Sequence, residues 1–225
     1  ESLASGTTFL ELSGANAKKL AIPIAPIDEQ RRIVANIEKQ FSRLNEAVAN
    51  LKHAQANLKH YKVAVLKAAV EGTLISGHTA ANWAWVEIGK VAQVISGFTK
   101  SPKRQHFPRK LPYLRVANVY ADELRLGDVE EIGVADKEVE KLLLKHGDML
   151  VVEGNGSVDQ IGRVALWDGS IQNCVHQNHL IKVRFGEGVL PKWALIWLLS
   201  PTGRREIEQL SSSTSGLHTL STGKV

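Results

Sequence analysis

Apolar residues recur at alternating steps of three and four through one long stretch of this sequence, from Ile27 to Gly72. No other feature limits the possible folds as tightly. Val34, Ile37, Phe41, Leu44, Val48, Leu51, Leu58 and Val65 occupy the series, and Gln55, Lys62 and Ala69 fill its remaining places. Such spacing is a heptad seam, narrower than the stripe of an ordinary surface helix. Pro23 and Pro26 precede the run, Asp28 is placed to cap it and Gly72 to close it. At 1.5 Å rise per residue, roughly 44 helical residues extend about 65 Å. A rod of that length cannot bury its seam against itself. Two readings remain: a long helix lying across its own domain or, better matched to the narrow seam, one rod of a coiled coil with a globular unit at its end.

The flanking text differs in kind. Residues 1–26 are small and polar before an Ile-Pro-Ile-Ala-Pro run, which predicts an extended lead-in with no helix before Asp28. After Gly72, TLISGHTAAN reads as a hinge. From Trp83 onward, WAWVEIGKVAQVIS, LPYLRVANVYA, DMLVVEG, GRVALWDG and HLIKVRF have the short alternating pattern of strands bounded by turn residues. Helices are expected at Ala135–Lys145, at Pro191–Leu199 and from about Thr202 to Gln209. The chain therefore divides into a lead-in (1–26), a long spacer helix (27–75) and a domain (80–225). The fold class is α+β: a mixed α/β domain of about 140 residues, large enough for its own core, attached to a long coiled-coil helix.

A weak internal repeat adds to this. Glu1, Leu3, Ser5, Thr7 and Leu10 match Glu208, Leu210, Ser212, Thr214 and Leu217, and after one inserted residue Leu12 and Ser13 match Leu220 and Ser221. Ser/Thr-rich text yields such matches by chance. A true repeat of about 207 residues would make the chain one period of a parent with two domains and two long helices. The first residue is Glu1 rather than methionine, which fits a processed or excerpted piece.

With 44% hydrophobic and 23% charged residues the composition is that of an ordinary folded protein, and no apolar run is long enough to span a membrane. The single cysteine, Cys174, excludes an internal disulfide framework and suits a reducing, cytoplasmic setting. A net charge of +5 is compatible with a polyanionic partner without establishing one.

Catalytic patterns are scarce. There is no Gly-rich phosphate loop, and Glu153–Ser157 (EGNGS) lacks dinucleotide spacing and reads as a hairpin or loop tip. His176 and His179 stand three apart, yet in a segment read as turn into strand they do not form a metal set with Cys174. No Asn-Pro-Pro-aromatic segment, nuclease-like acidic pair or Gly-X-Ser-X-Gly elbow is present. The expectation is a binder with no catalytic residues, cofactor or metal.

Features suited to duplex DNA are more frequent. Lys100, Lys103, Arg104, Arg109 and Lys110 crowd one loop and would meet phosphates; a basic loop is also often just a solvated surface. Base edges would be read by Arg115 and Asn118 in YLRVANV, by Asn155 and Ser157, by Arg163, and by Gln177 and Asn178. Alternatively Arg115 and Asn118 are fixed inside the domain, Asn118 closing a turn. Thr214 and His218, in the hydroxyl-rich stretch SSSTSGLHT, would wrap backbone phosphates or lie in a flexible loop.

With these residues in view, the chain resembles the DNA-specificity subunit of Type I restriction–modification systems along nearly its full length. The most specific part is IPIAPIDEQRRIVANIEKQF…LKHAQANLKHYKVAVLKAAVEGTL, similar to that family's spacer; YLRVANV, GDMLVVEGNGS with IGRVALW, and SSSTSGLHTLSTGKV resemble pieces of its target recognition domains. The resemblance implies two recognition domains, each followed by a helix, with the helices packed as an antiparallel coiled coil that sets the gap between the halves of a split DNA target. It also implies docking of methyltransferase (modification) subunits that carry S-adenosylmethionine, and through them the restriction subunit. This sequence departs from the pattern in having one complete domain and one helix, so a head-to-tail homodimer is expected. The rivals are a coiled-coil adaptor with a protein-binding domain, and an enzyme with disguised motifs.

Overall fold

The structure is a computed structural model that describes residues 13–77, 80–155, 160–214 and 217–219. The chain forms two compact units, Glu1–Leu58 and Lys59–Val225. The long helix passes through that division, so its last turns count with the second unit.

The lead-in is not wholly extended. Helix α1 (Gly14–Ala17) is capped by Ser13, whose Oγ accepts the Asn16 amide at 3.3 Å. Pro23 and Pro26 lie too far along to forbid this turn, because proline restricts only itself and its predecessor. Helix α2 runs from Ile27 to Val70, 44 residues. Asp28 is not its cap. The Pro26 carbonyl accepts the first amides, from Glu29 and Gln30 at 2.9 and 3.0 Å, and Asp28 sits inside the first turn, 3.2 Å from Arg31. At the other end Gly72, at φ 72°, bonds back to the Ala69 carbonyl while Thr73 reaches that of Ala68. This Schellman closure is what a glycine at that position allows. No residue of α2 is buried. Phe41 is 61% and Leu51 72% exposed. Among the seam residues from Val34 onward only Val65 and Ala69, near the end, are half-buried.

The second unit is built around a four-stranded antiparallel sheet. After α3 (Ile88–Val91) come β1 (Ala92–Ser96), β2 (Lys110–Leu114), β3 (Val119–Tyr120), β4 (Glu123–Leu124), β5 (Glu130–Gly133), α4 (Asp136–Leu142), β6 (Met149–Val152), β7 (Gly154–Asn155) and β8 (Val164–Leu166). Then follow β9 (Val175–His176), β10 (Leu180–Phe185), α5 (Pro191–Leu199), α6 (Pro201–Leu210), β11 (Ser212–Thr214) and β12 (Leu217–Thr219). The main sheet has the order β1-β10-β6-β8; β5-β2-β9 form a second sheet in which β2 and β9 are parallel; β11-β12-β7 form a third; β3 and β4 pair alone. The expected strands in DMLVVEG, GRVALWDG and HLIKVRF and the helix at Pro191–Leu199 are all present.

Two expected strands are interrupted. In WAWVEIGKVAQVIS only Ala92–Ser96 joins a sheet; Trp83 and Trp85 instead set their rings edge-on to Trp193 and Trp197 of α5, at 5.3 and 6.0 Å. LPYLRVANVYA breaks at Arg115 into a 3-10 turn, Val116–Asn118.

Strand alternation divides the core. Met149, Val151, Ile181 and Val183 pack with Leu195, Leu198 and Ile207 of the last two helices. Their neighbours Leu150, Val152 and Leu180 face the opposite way, against Leu114, Trp167 and Cys174. Both faces of β6 are therefore covered, which is why it reads as an unbroken apolar run. Lys182, on the Leu180 side of β10, is buried, and its ammonium donates to the carbonyls of Lys141 (2.6 Å) and Leu143 (3.2 Å) at the end of α4. Burial pulls its pKa down to about 8. Beside it Arg184 and the buried Asp148 share two bonds of 2.6 and 2.7 Å.

Candidate nucleic-acid interface

Most of the proposed recognition residues gather around two features of the second unit, the 3-10 turn at Val116–Asn118 and the segment 99–110 before β2. The turn is held from every side. Asn118 is buried; its Oδ1 accepts the Arg115 amide at 2.8 Å, and its Nδ2 donates to the carbonyls of Arg125 and Asp128 at 2.8 and 2.9 Å. Gln177 accepts the Val116 amide through Oε1, and Arg163 donates to the Val116 carbonyl, both at 3.3 Å. Arg115 is clamped by Asp128 and Glu130, each at 2.7 Å, with its side chain 24% exposed. Asn118 thus closes a turn, the alternative reading of its sequence, and has no free edge to offer a base. Arg115 and Asn118 position the loop; they do not project from it.

The basic segment divides in the same way. The Arg104 guanidinium lies 4.4 Å from the Phe98 ring centroid, donates from Nε to the Thr99 carbonyl at 3.0 Å, and pairs with Glu138 at 3.3 Å. Its side chain is 16% exposed and ties this segment to Glu138. Arg104 holds the Glu138 carboxyl below the usual range. Phe98 gets so close to β9 because Gly97 has no side chain: a Cβ there would overlap the His176 carbonyl. Lys100 and Arg109 also have carboxylate partners, Glu130 at 2.7 Å and Asp136 at 2.8 Å, but both cations stay largely exposed. Exposed pairs of this kind contribute about 0–1 kcal/mol and exchange readily for a phosphate. Lys103 is exposed on the 3-10 turn Pro102–His106, and Lys110 donates to the Gln105 carbonyl at 2.8 Å. Lys100, Lys103, Arg109 and Lys110 are the cations this surface can present.

Asn178 is half-buried, its amide 3.3 Å from the His179 ring. Asn155 in β7 stands opposite His218 of β12 in register, and Thr214 of β11 opposite Leu217. One small sheet thus joins Asn155 to the hairpin that carries Thr214 and His218, some sixty residues further along the sequence. Ser157 lies outside the described residues.

Two residues absent from the sequence reading matter here. The Tyr120 ring has Arg125 at 3.7 Å and Arg163 at 4.7 Å, a cation–π stack beside the turn. The signal, a tyrosine two residues after Asn118, was visible but did not reveal its partners. His176 and His179 diverge: His176 is buried with Nδ1 2.9 Å from the Leu180 carbonyl, whereas His179 is exposed and 3.1 Å from Glu153. Burial pushes the Cys174 thiol up to about 12, so it is inert at neutral pH.

The architecture is similar to that of chains solved from type I restriction–modification systems. A chain from a structure of complex assembly and conformational transition in a type I R-M system superposes with a TM-score of 0.63 at 18% identity, over 97% of this chain and 51% of that one. The HsdS subunit from Thermoanaerobacter tengcongensis gives a TM-score of 0.57 at 20% identity, over 98% of this chain and 54% of its own. In sequence, the chain is similar to the EcoKI specificity subunit of Escherichia coli (strain K12), a Type I restriction enzyme component, at 25% identity over 223 residues. It is likewise similar to the StySPI specificity subunit of Salmonella potsdam, at 26% over 227 residues. These alignments cover 96% and 97% of this chain but 47% and 48% of the relatives, so the chain spans about half the length of the curated relatives it matches. No protein-family model matches it.

Proposed function

We propose that this chain is a sequence-specific DNA reader of a Type I restriction–modification complex. Its second unit recognises one half of a bipartite duplex target, and α2 pairs with another helix of the same kind, supplied by a second copy. The paired helices form a spacer between two readers and a platform for methyltransferase subunits, through which a restriction subunit joins. The reader itself carries out no chemistry and works in the cytoplasm. No helix among the described residues is long and apolar enough to cross a membrane.

The observation that carries the reading is a 44-residue helix without a buried residue, joined to an α+β unit, in a chain similar over 96% of its length to a specificity subunit. An unpaired heptad seam of that length needs a partner, and a fixed rod between two readers converts helix length into half-site spacing. Phosphate contacts from Lys100, Lys103, Arg109 and Lys110 would supply affinity, while side chains near the Val116–Asn118 turn and the β7–β12 sheet, Gln177, Asn178 and Asn155 among them, would read bases.

Fluorescence anisotropy with duplex DNA across a salt series tests this. Four phosphate contacts per reader predict that log affinity falls with log salt at a slope of roughly −3 to −4 per reader. Affinity that is flat from low to moderate salt contradicts the assignment.

A further inference from the structure

The main sheet of the second unit has two outer strands, and they are finished differently. On β8 the turn between β3 and β4 closes over the edge, where the Asp122 amide donates to the Val164 carbonyl at 2.9 Å. On β1 no strand among the described residues pairs with the side away from β10. Sheet edges are ordinarily guarded by charge, by proline or by a covering element, because their unpaired amides and carbonyls accept any extended chain. Ala92–Ser96 (AQVIS) carries neither charge nor proline.

Beside this open edge runs a groove of about 530 Å³, lined by β1 from Val94 to Ser96 and by Lys137, Glu138, Lys141 and Leu142 of α4. We infer that the groove is a docking site for an extended, acidic segment of a partner protein, which lies between β1 and α4 and adds a strand to the sheet.

Helix α4 is a fixed wall for such a site. Its first turns are tied to the basic segment through Arg104 and Glu138 at 3.3 Å and through Arg109 and Asp136 at 2.8 Å. At its other end the buried Lys182 ammonium holds the carbonyls of Lys141 and Leu143, and Arg184 donates to the Leu143 carbonyl at 3.0 Å. A wall pinned at both ends needs no ordering when a strand arrives, which lowers the cost of binding. Ile95 and Leu142, both half-buried, give the groove an apolar lining for alternate side chains of the guest.

Charge selects the occupant. Lys137 and Lys141 lie one helical turn apart on the same face, both exposed, and neither is ion-paired among the described residues. Glu138, the acid in the lining, has both carboxylate oxygens engaged by Arg104, at 3.3 and 3.4 Å. The groove therefore offers two uncommitted ammonium groups to carboxylates on a bound strand. A second copy's β1, uncharged, would leave both lysines unmatched. A duplex is also a polyanion, but only a peptide supplies a row of amides and carbonyls to match those of β1.

The probe is a capped, fluorescein-labelled decapeptide alternating glutamate with valine, titrated into the full chain. Saturable binding is expected, with amide hydrogen exchange slowed at Ala92–Ser96. A lysine-for-glutamate analogue should bind about tenfold more weakly or worse, and Lys137→Gln combined with Lys141→Gln should weaken the glutamate probe about tenfold. N-methylation of either the odd or the even amides of the probe separates strand addition from charge attraction without altering the protein. One set should abolish binding and the other be tolerated, because alternate amides of a strand face opposite edges. Absence of saturable binding, equal losses from the two methylated sets, or protection confined to residues 99–110 would overturn the proposal. Slowed exchange in β1 on concentrating the chain alone, or on adding duplex DNA alone, would overturn it too, by giving the edge to a second copy or to nucleic acid.

Discussion

Helix α2 and strand β6 are both rich in large apolar residues, yet they meet water in opposite ways. All four residues of β6 are buried, and none of the 44 in α2 is. The strand's side chains find partners inside one unit, the odd positions against α5 and α6 and the even ones with Leu114, Val119, Trp167 and Cys174. The helix's seam stays exposed over all but its last turns. Apolar content alone therefore does not separate a finished core from an interface; the period does, because a heptad series matches another helix better than it matches a sheet.

That contrast can be broken most sharply by paired substitutions. Leu150→Ala, at 0% exposure in β6, should cost the second unit about 2–5 kcal/mol in urea unfolding. Phe41→Asp or Leu51→Asp should leave that unfolding transition in place while light scattering shows the dimer gone. Coincident loss of fold and pairing in all three would merge the two regions into one cooperative body.

A smaller effect lies in the titration of the core. Burial, reinforced by the nearby Lys182 charge, lowers the His176 pKa to about 4 from 6.5. The fold thus prefers the neutral ring, and the stability this gives is present above pH 6.5 and is lost as pH falls toward 4. The loss is on the order of 3 kcal/mol. In His176→Gln the unfolding free energy should fall less over that window; an unchanged slope would mean the ring is not held neutral. On the surface, the proposal separates two neighbours. Lys103→Ala should reduce the salt slope of DNA binding by about 1 with stability nearly unchanged, whereas Arg104→Ala should cost about 1–3 kcal/mol of stability through its lost carbonyl and Glu138 bonds. Equal effects of the two would contradict the division between presented and structural cations.

How far the sequence could be read follows the same line. The helix α2 and the apolar strands β6, β8 and β10 were legible because a periodic pattern is local. The role of Arg104 was not, because its partner is distant: Glu138 lies 34 residues away. The turn closed by Asn118 was legible as an alternative because Arg115 is only three residues off, but the clamp of Glu130, 15 residues from Arg115, was not. A basic or amide side chain looks the same in sequence whether a carboxylate waits for it or not. Trp83 and Trp85 misled for a related reason, since their alternation imitates a strand while their rings are matched to α5.

The most direct test of the whole account is selection of bound sequences from a random duplex pool with the wild-type chain at dimer-forming concentration. A two-fold pair of identical readers on a rigid spacer predicts two inverted copies of one short motif separated by a single fixed gap. A lone motif, or paired motifs at variable spacing, would contradict the spacer and the function built on it.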